Sequence, residues 1–387
     1  MTKPKVAIVG GGIGGLFTAN ALIAEGFPVS VYEQAPALGE VGAGVLITPN
    51  SARHLQRVGL GELVEKRGAR IGSGSRYFRH DGTPIAPVQV TDSAGWNAIF
   101  GMHRADLIDI LASALPKEVV HTGHRCTGFQ QDGTGARVRF ANGAVAEADI
   151  VVAADGMHSE LRKYIAAPFR PVFSGSAAYR GIVPREEIPD WPNDCWQMWL
   201  GEGKHFLTFP VRAGTLINFV GFTPADKEIK ESWSASGDPN LLRQEFAGWD
   251  PRVETILRRV HATFHWALYD RDPLPSWTKG SLTLLGDAAH AMLPHLGQGA
   301  NQSIEDGITL ATILARADTA QAALLAYERL RRERVAQVQS GARKNGLRYD
   351  TLSGDIAARD SEIVAHAEFR KQLYDYDVVK EAKAIAI

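Results

Sequence analysis

Residues 5–15, with the sequence KVAIVGGGIGG, place a short apolar run directly before a glycine-rich turn. The apolar run is typical of a buried parallel strand, and the helical pattern that follows over 14–25 ends at Gly26. A second apolar run covers 29–33. A strand, a glycine turn, a helix and a second strand in this order predict a right-handed βαβ unit.

Three glycines of the turn have the spacing GxGxxG that is typical of dinucleotide binding: Gly10, Gly12 and Gly15. The first permits a tight turn, the second lets a pyrophosphate approach the backbone, and the third allows close packing of helix on strand. The helix start at Gly14 offers unpaired amides and the positive end of the helix dipole to phosphates. We therefore expect a dinucleotide at this turn.

An acidic residue stands at the end of the second strand. Glu33, followed by Gln34, is placed to hold ribose hydroxyls and would repel a 2′-phosphate. This suits both NAD and the adenosine half of FAD, so the first motif alone does not distinguish the two.

Composition limits the classes of function. The chain has 387 residues, 45% hydrophobic and 22% charged, with a net charge of -1, which suits two interleaved domains and gives no reason to expect nucleic acid or a membrane as a partner. Cys126 and Cys195 make neither a disulfide framework nor a CxxC metal site, so we expect reduced thiols, a cytoplasmic location and no metal. The N-terminus lacks a signal-peptide pattern, and no apolar run reaches the roughly 18 residues that span a bilayer.

Two further motifs lie far along the chain. Asp155-Gly156 ends a second apolar run, and Gly286-Asp287 ends a third. In this order the three motifs resemble the FAD-binding fingerprint of the single-component, or group A, flavoprotein aromatic hydroxylases. Over residues 4–345 the chain is most similar to the branch that contains salicylate hydroxylase and 6-hydroxynicotinate 3-monooxygenase.

The resemblance implies an α/β fold of the p-hydroxybenzoate hydroxylase type. A Rossmann-like FAD-binding domain is interleaved with a β-sheet substrate domain and followed by C-terminal helices. We expect 1–171 to form the first part of the FAD-binding domain with inserted loops, and 172–276 to form the β-rich substrate domain. Residues 277–345 then return to the FAD-binding domain, and 346–387 form a helical tail.

The resemblance also implies contacts with FAD. Asp287 takes a ribityl hydroxyl, Arg104 lies near the phosphates, and Gly44 belongs to a segment that passes close to the flavin. The helix start after the third motif directs its amides at the flavin. The expected FAD-binding residues are Gly10, Gly12, Gly14, Gly15, Glu33, Gln34, Gly44, Arg104, Asp155, Gly156, Gly286, Asp287, Gly297, Gly299, Ala300 and Asn301.

The implied reaction is an oxygen insertion. In this family NADH or NADPH reduces FAD, O2 forms a flavin C4a-hydroperoxide, and one oxygen atom passes to an electron-rich ring. A base that removes the phenolic proton activates the substrate, and a dry site limits decay to hydrogen peroxide. We therefore expect a monooxygenase that hydroxylates a small phenolic aromatic acid of the salicylate type, as a monomer or homodimer.

Two histidines are candidates for the base. His295 lies beside the flavin-binding helix start, where the helix dipole would lower its pKa and favour the neutral form, and it is the preferred candidate. Strand alternation places His205 on one face with Leu207 and Phe209, either as a core residue or as part of the substrate pocket. A metal bound by His290 and His295 is not expected, because no carboxylate or thiolate completes a site.

The expected substrate pocket is largely apolar. In 6-hydroxynicotinate hydroxylases a histidine and a tyrosine stand where this chain has Leu46 and Phe209. Leucine and phenylalanine cannot move a proton, unlike the two residues they replace. This favours a benzenoid ring, and Arg180 offers either a carboxylate partner or a structural salt bridge. The expected pocket residues are Leu46, Met198, His205, Phe209, Pro294 and His295.

Other functions stay open at this point. One is a flavin hydroxylase of a neutral or N-heteroaromatic compound, such as 6-hydroxynicotinate, a quinolone, a phenazine or a purine. The others are an FAD oxidase and a flavin binder without catalysis.

Overall fold

The computed structural model describes residues 3–39, 43–133, 135–167, 171–225, 235–351 and 356–387. Its first sheet has six strands, and neighbouring strands pair in parallel except for one antiparallel pair at an edge. In spatial order these strands are Thr278–Lys279 (β19), Leu282–Leu284 (β20), Ile150–Ala153 (β12), Val6–Val9 (β1), Val29–Tyr32 (β2) and Val120–His121 (β8). Strands β1 and β12 are fully buried, as expected for a sheet that is covered on both faces.

A second sheet has eight strands and is mainly antiparallel. In spatial order they are Ser236–Gly237 (β17), Thr263–Asp270 (β18), Val172–Pro184 (β13), Leu216–Pro224 (β16), His205–Val211 (β15), Gln197–Leu200 (β14), Arg76–Arg79 (β5) and Pro84–Pro87 (β6). Strands β5 and β6 lie within 1–171, the segment assigned by sequence to the first domain. They join the second sheet because β5 pairs in parallel with β14, a nonlocal pairing that no local pattern reveals.

Two sheets of three strands complete the β-structure. One contains Val145–Ala148 (β11), Ala136–Phe140 (β10) and Cys126–Gln131 (β9), and the other Gly44–Ile47 (β3), Phe100–His103 (β7) and Ala69–Arg70 (β4). The run 145–152 has the pattern of one strand but divides into β11 and β12. The division falls at Asp149, whose carboxylate accepts a hydrogen bond from the Lys5 amide, so the chain passes from one sheet to another there.

Helices pack against these sheets and against one another. They are Ile13–Ala24 (α1), Pro49–Arg57 (α2), Gly61–Arg67 (α3), Arg104–Ser113 (α4), Pro239–Glu245 (α5), Pro251–Arg258 (α6), Asp287–His290 (α7), Gly299–Leu314 (α8), Ala320–Tyr349 (α9), Ile356–Asp375 (α10) and Val378–Ala384 (α11). Helix α8 begins at Gly299, directly after the glycine-rich segment that follows the third motif, and α9 has 30 residues. The C-terminal segment is helical, and α10 packs against β6, α2 and α9.

A buried group of charges joins α7, α8 and α9. Arg331 of α9 is fully buried, and its guanidinium lies 2.6 Å from the carboxylate of Glu305 and 2.7 Å from that of Asp306. Asp306 also accepts hydrogen bonds from His290, at 2.5 Å, and from the Gly286 amide, at 3.0 Å. Burial alone would raise the pKa of Asp306, but His290 and Arg331 lower it to about 2.

Replacing Arg331 tests how much this group stabilises the fold. We expect Arg331→Leu to lower the free energy of unfolding by about 3–5 kcal/mol, because two buried carboxylates each lose a buried cationic partner. The control is Arg258→Leu, which removes an exposed pair with Glu254 and should cost at most about 1 kcal/mol. Urea unfolding of both variants measures the difference, and equal losses would contradict the expectation.

The pH dependence of the same group has a definite sign. The pKa of Asp306 is lower in the folded protein than in an unfolded chain, where it is near 3.9. The stabilisation is therefore fully present above that value and is lost as the pH falls toward 2. In urea unfolding between pH 7 and pH 3, the Arg331→Leu variant should lose less stability than the unsubstituted protein.

Candidate active site

One cavity of about 550 Å³ lies between the parallel sheet and the eight-stranded sheet. Residues from widely separated parts of the chain line it, from Gly12 to Arg370. The expected cofactor residues that line it are Gly12, Gly14, Gly44, Arg104, Gly156, Gly286, Asp287, Gly297, Gly299 and Ala300, and the expected substrate residues are Leu46, Met198, His205, Phe209, Pro294 and His295. The fold thus brings sixteen of the expected residues to one cavity.

The glycine turn after β1 borders this cavity. Gly10 has φ +114°, and a Cβ there would lie 2.1 Å from the carbonyl oxygen of Ala154. A Cβ on Gly15 would lie 2.0 Å from the Gly10 oxygen, so both positions require glycine for close packing. Gly12 is different, because a Cβ there would meet no atom within 4 Å and would stand in the space where a phosphate is expected.

Two helix N-termini face the cavity without a side-chain cap. Helix α1 begins after Gly12 and α8 after Gln298, and neither preceding residue caps its helix through its side chain. The residues at both starts line the cavity. Unpaired amides and two positive dipole ends therefore favour a bound anion or an electron-rich ring.

Arg104 and Asp287 add opposite charges to this part of the cavity. Burial lowers the pKa of Arg104, and the nearby Asp287 carboxylate opposes that shift. Gly286 adopts φ +61° before Asp287, which places this acid at the start of α7. Cationic, anionic and backbone donor groups thus surround one region, a donor set that fits the phosphates and hydroxyls of a dinucleotide.

Glu33 and Gln34 do not line the cavity. The Glu33 carboxylate accepts hydrogen bonds from the amides of Gly11, at 2.6 Å, and Ala35, at 2.8 Å, and Gln34 is exposed. Glu33 therefore holds the glycine turn against the end of β2.

Asp155 and Asn301 also lie behind the cavity wall. Asp155 accepts hydrogen bonds from the amides of Glu160 and Leu161, and burial raises its pKa. Asn301 donates to the carbonyls of Leu46, at 2.9 Å, and Gly297, at 2.7 Å. These two side chains shape the loops that line the cavity.

The other part of the cavity contains two adjacent histidines. The rings of His205 and His295 are 5.3 Å apart, and both residues are buried. Burial, followed by the effect of His205, lowers the pKa of His295 to about 3, whereas the sequence reasoning attributed a lowered pKa to the helix dipole. Gly346 of α9 makes room for this ring, because a Cβ there would lie 2.7 Å from His295 Cδ2.

Asp350 completes this group and was missed by sequence reasoning. Its Oδ1 lies 2.7 Å from Nδ1 of His205, and Ser176 donates to its other oxygen. His205 Nε2 is buried and has no hydrogen-bond partner. The dyad leaves this nitrogen as a proton acceptor in the tautomer that Asp350 favours. Asp350 follows the end of α9, 145 residues from His205, and no local motif marks it.

Apolar and aromatic side chains surround the histidines. Leu46, Met198 and Phe209 line the cavity as expected pocket residues, and Phe209 packs directly on Gly44. Asn218 lies among them with its amide nitrogen buried and unpartnered. Such a site suits a ring with few polar groups.

Arg180, which sequence reasoning offered as a carboxylate partner, and its neighbour Tyr179 have different surroundings. Tyr179 stacks on His265, with ring centroids 3.9 Å apart, and does not line the cavity. Arg180 does line it and lies over the Trp266 ring at 4.7 Å. Alternation along β13 explains why these consecutive side chains lie on opposite faces.

Neither a metal cluster nor a membrane-spanning helix was found in the described parts of the chain. No three His, Cys, Asp or Glu side chains there are grouped so that they could hold a metal ion. No helix among the same residues is long and apolar enough to cross a bilayer.

Alanine at two glycines separates folding from cofactor binding. Gly12→Ala should leave the melting temperature of the cofactor-free protein unchanged but weaken FAD binding by at least about tenfold, because its methyl group occupies the expected phosphate space. Gly10→Ala should destabilise the fold itself, through its positive φ and its clash with Ala154. Flavin fluorescence titration and thermal melts distinguish the two, and unchanged FAD affinity in Gly12→Ala would contradict the assignment.

Comparisons with known proteins agree with this geometry. The family model described as FAD binding domain matches residues 3–342. The chain is 38% identical to 3-amino-4-hydroxybenzoate 2-monooxygenase of Streptomyces platensis, over 91% of this chain and 90% of that protein. It is 35% identical to 6-hydroxynicotinate 3-monooxygenase of Pseudomonas fluorescens, over 87% of this chain and 90% of that protein.

A solved structure gives the same result. A substrate complex of salicylate hydroxylase superposes with a TM-score of 0.83 and 30% identity, over 99% of this chain and 98% of that one. The match extends over both large sheets and the helices, so the similarity is not confined to the glycine motifs. The chain therefore belongs to the FAD-binding family of flavin-dependent aromatic monooxygenases.

Proposed function

We propose that this enzyme hydroxylates the ring of a small phenolic aromatic acid of the salicylate type, with NADH or NADPH as electron donor and O2 as co-substrate. The observation that carries the proposal is the joining of two unlike regions in one cavity. One region has two uncapped helix N-termini, and the other has an Asp–His dyad among apolar side chains.

The first region fits FAD. Gly12 and Gly14 would hold the pyrophosphate, Arg104 would lie beside the phosphates, and Asp287 would take a ribityl hydroxyl. The start of α8, at Gly299 and Ala300, would direct amides at the flavin. When bound and reduced, FAD supplies the activation of O2.

The second region would hold and activate the aromatic ring. We propose that Nε2 of His205 accepts the phenolic proton, because Asp350 holds Nδ1 and leaves Nε2 without a partner. His295 is the weaker candidate, since a pKa of about 3 makes it a poor proton acceptor. His295 and Phe222, which stacks on the His205 ring at 4.1 Å, would exclude water from the base.

The cellular setting forms part of the proposal. Cys126 and Cys195 are free and buried, and burial raises the pKa of both thiols, as suits structural cysteines in the cytoplasm. We propose that the enzyme works as a monomer or homodimer.

Oxidation of NADH and NADPH by the FAD-loaded enzyme under air tests the function. A matching phenolic acid should stimulate oxidation and give a product with one more oxygen, by mass. Salicylate, 3- and 4-hydroxybenzoate and 3-amino-4-hydroxybenzoate are the first candidates. If only a hydroxyquinoline or another neutral heteroaromatic stimulated the oxidation of NADH or NADPH, the proposal of an acidic substrate would be wrong. Flavin reduction by substrate without a nicotinamide would indicate an oxidase.

Replacing Asp350 tests the base. Asp350→Asn should lower kcat about 100-fold at neutral pH while FAD content and substrate affinity stay unchanged, because His205 loses the partner that fixes its tautomer. With a substrate whose hydroxyl is not ortho to its carboxylate, such as 4-hydroxybenzoate, activity should recover as the pH approaches about 10, where such a phenol loses its proton unaided.

His295→Asn is the matched control for this variant. It alters the neighbouring ring, so its rate loss should persist at every pH. A parallel loss of rate at all pH values in Asp350→Asn would show that Asp350 acts only in packing.

A further inference from the structure

A buried arginine from the C-terminal segment lines the same cavity. Arg370 lies on α10, is 8% exposed, and borders the cavity that holds His205 and His295. No sequence motif draws attention to it, because α10 follows all three FAD motifs in the chain.

The side chains that contact the Arg370 guanidinium are aromatic. Arg370 donates to the hydroxyls of Tyr374, at 3.4 Å, and Tyr349, at 3.3 Å, and lies 5.8 Å from the Trp196 ring. Its Nε is buried with no hydrogen-bond partner. Phenols ordinarily ionise near pH 10, and burial raises the pKa of the adjoining Tyr77 further. The hydrogen-bond partners of the Arg370 guanidinium are thus phenol hydroxyls, with no carboxylate among them in the described residues.

A comparison with Arg331 shows what Arg370 lacks. Arg331 is also buried, but it has ion pairs with Glu305 and Asp306. Within the ranges that the structure describes, Arg370 forms no ion pair with a carboxylate. Its charge affects its surroundings, because burial together with Arg370 and Arg348 lowers the pKa of His366 to about 3.

A buried guanidinium without a counter-ion is costly, and it borders a cavity that can admit one. The planar fork of arginine matches a carboxylate through two parallel hydrogen bonds. Tyr349 links this group to the base, since its hydroxyl bonds to Arg370 and its ring lies 5.2 Å from that of His205. A ring that carries a hydroxyl and a carboxylate would place its hydroxyl at His205 and its carboxylate at Arg370.

We propose that Arg370 binds the carboxylate of the aromatic substrate and so selects acids over neutral rings. The inference rests on the proposed function, because it places the anion on the molecule to be hydroxylated. Arg180, the arginine suggested by sequence, suits the cofactor side better, because it lies over Trp266 and near Arg104.

Paired ligands test this without turnover. The FAD-loaded enzyme, with no nicotinamide present, is titrated calorimetrically with salicylate and salicylamide, and with 4-hydroxybenzoate and 4-hydroxybenzamide. The unsubstituted enzyme should bind the acid of at least one pair at least tenfold more tightly than its amide. Arg370→Met should weaken acid binding at least about 50-fold and change amide binding less than threefold.

Two further variants keep the test decisive. Lys371→Met removes a charge from the next residue of α10, which does not line the cavity, and should leave the acid preference intact. Arg370→Lys retains the charge but not the fork, so acid binding should fall between those of the unsubstituted enzyme and Arg370→Met. If Arg370→Met does not fold, Arg370→Lys and the acid–amide comparison decide.

Two outcomes would overturn the proposal. One is equal affinity of the unsubstituted enzyme for acid and amide. The other is an equal loss of affinity for both ligands in Arg370→Met. Failure of the hydroxylation itself is a separate result, seen as absence of an oxygenated product although the acid binds selectively.

Discussion

The ion pairs of Arg331 with Glu305 and Asp306 determine where the cofactor region can form. Asp306 of α8 accepts hydrogen bonds from the Gly286 amide and the His290 ring. Because Arg331 of α9 holds Asp306, α9 fixes the third glycine motif indirectly, through α8. The start of α8 is thereby fixed at the cavity, with its amides unpaired. Because no water reaches these charges, each depends on the others for its partner. The donor groups expected to face FAD are thus oriented from behind by charges that never meet it.

The far end of α9 organises the other part of the cavity. Gly346 accommodates the His295 ring, and Asp350 follows the last turn to hold His205. Tyr349 lies between the histidines and Arg370. One helix of 30 residues therefore connects the cofactor region with the proposed base and carboxylate site. A shift of α9 would therefore displace the cofactor region, the proposed base and the proposed carboxylate site together.

Sequence reasoning succeeded where the signal is local. The turn at Gly10, Gly12 and Gly15, the strand at His205–Val211 and the fold class all follow from spacing, periodicity or family resemblance. It missed Asp350 and Arg370 because their importance depends on contacts across the fold. Their neighbours in the sequence are polar or helix-forming residues, a pattern that is also typical of surface segments. The pairing of β5 with β14 was missed for the same reason, since register between distant strands leaves no local pattern.

The cavity draws its walls from positions as far apart as Gly12 and Arg370. Any molecule that occupies it acts as a reversible cross-link between segments that lie far apart in the sequence. By mass action, the resistance of the enzyme to unfolding then rises with the logarithm of the free concentration of FAD above its dissociation constant. Cofactor supply would thus set the lifetime of the protein as well as its capacity for catalysis.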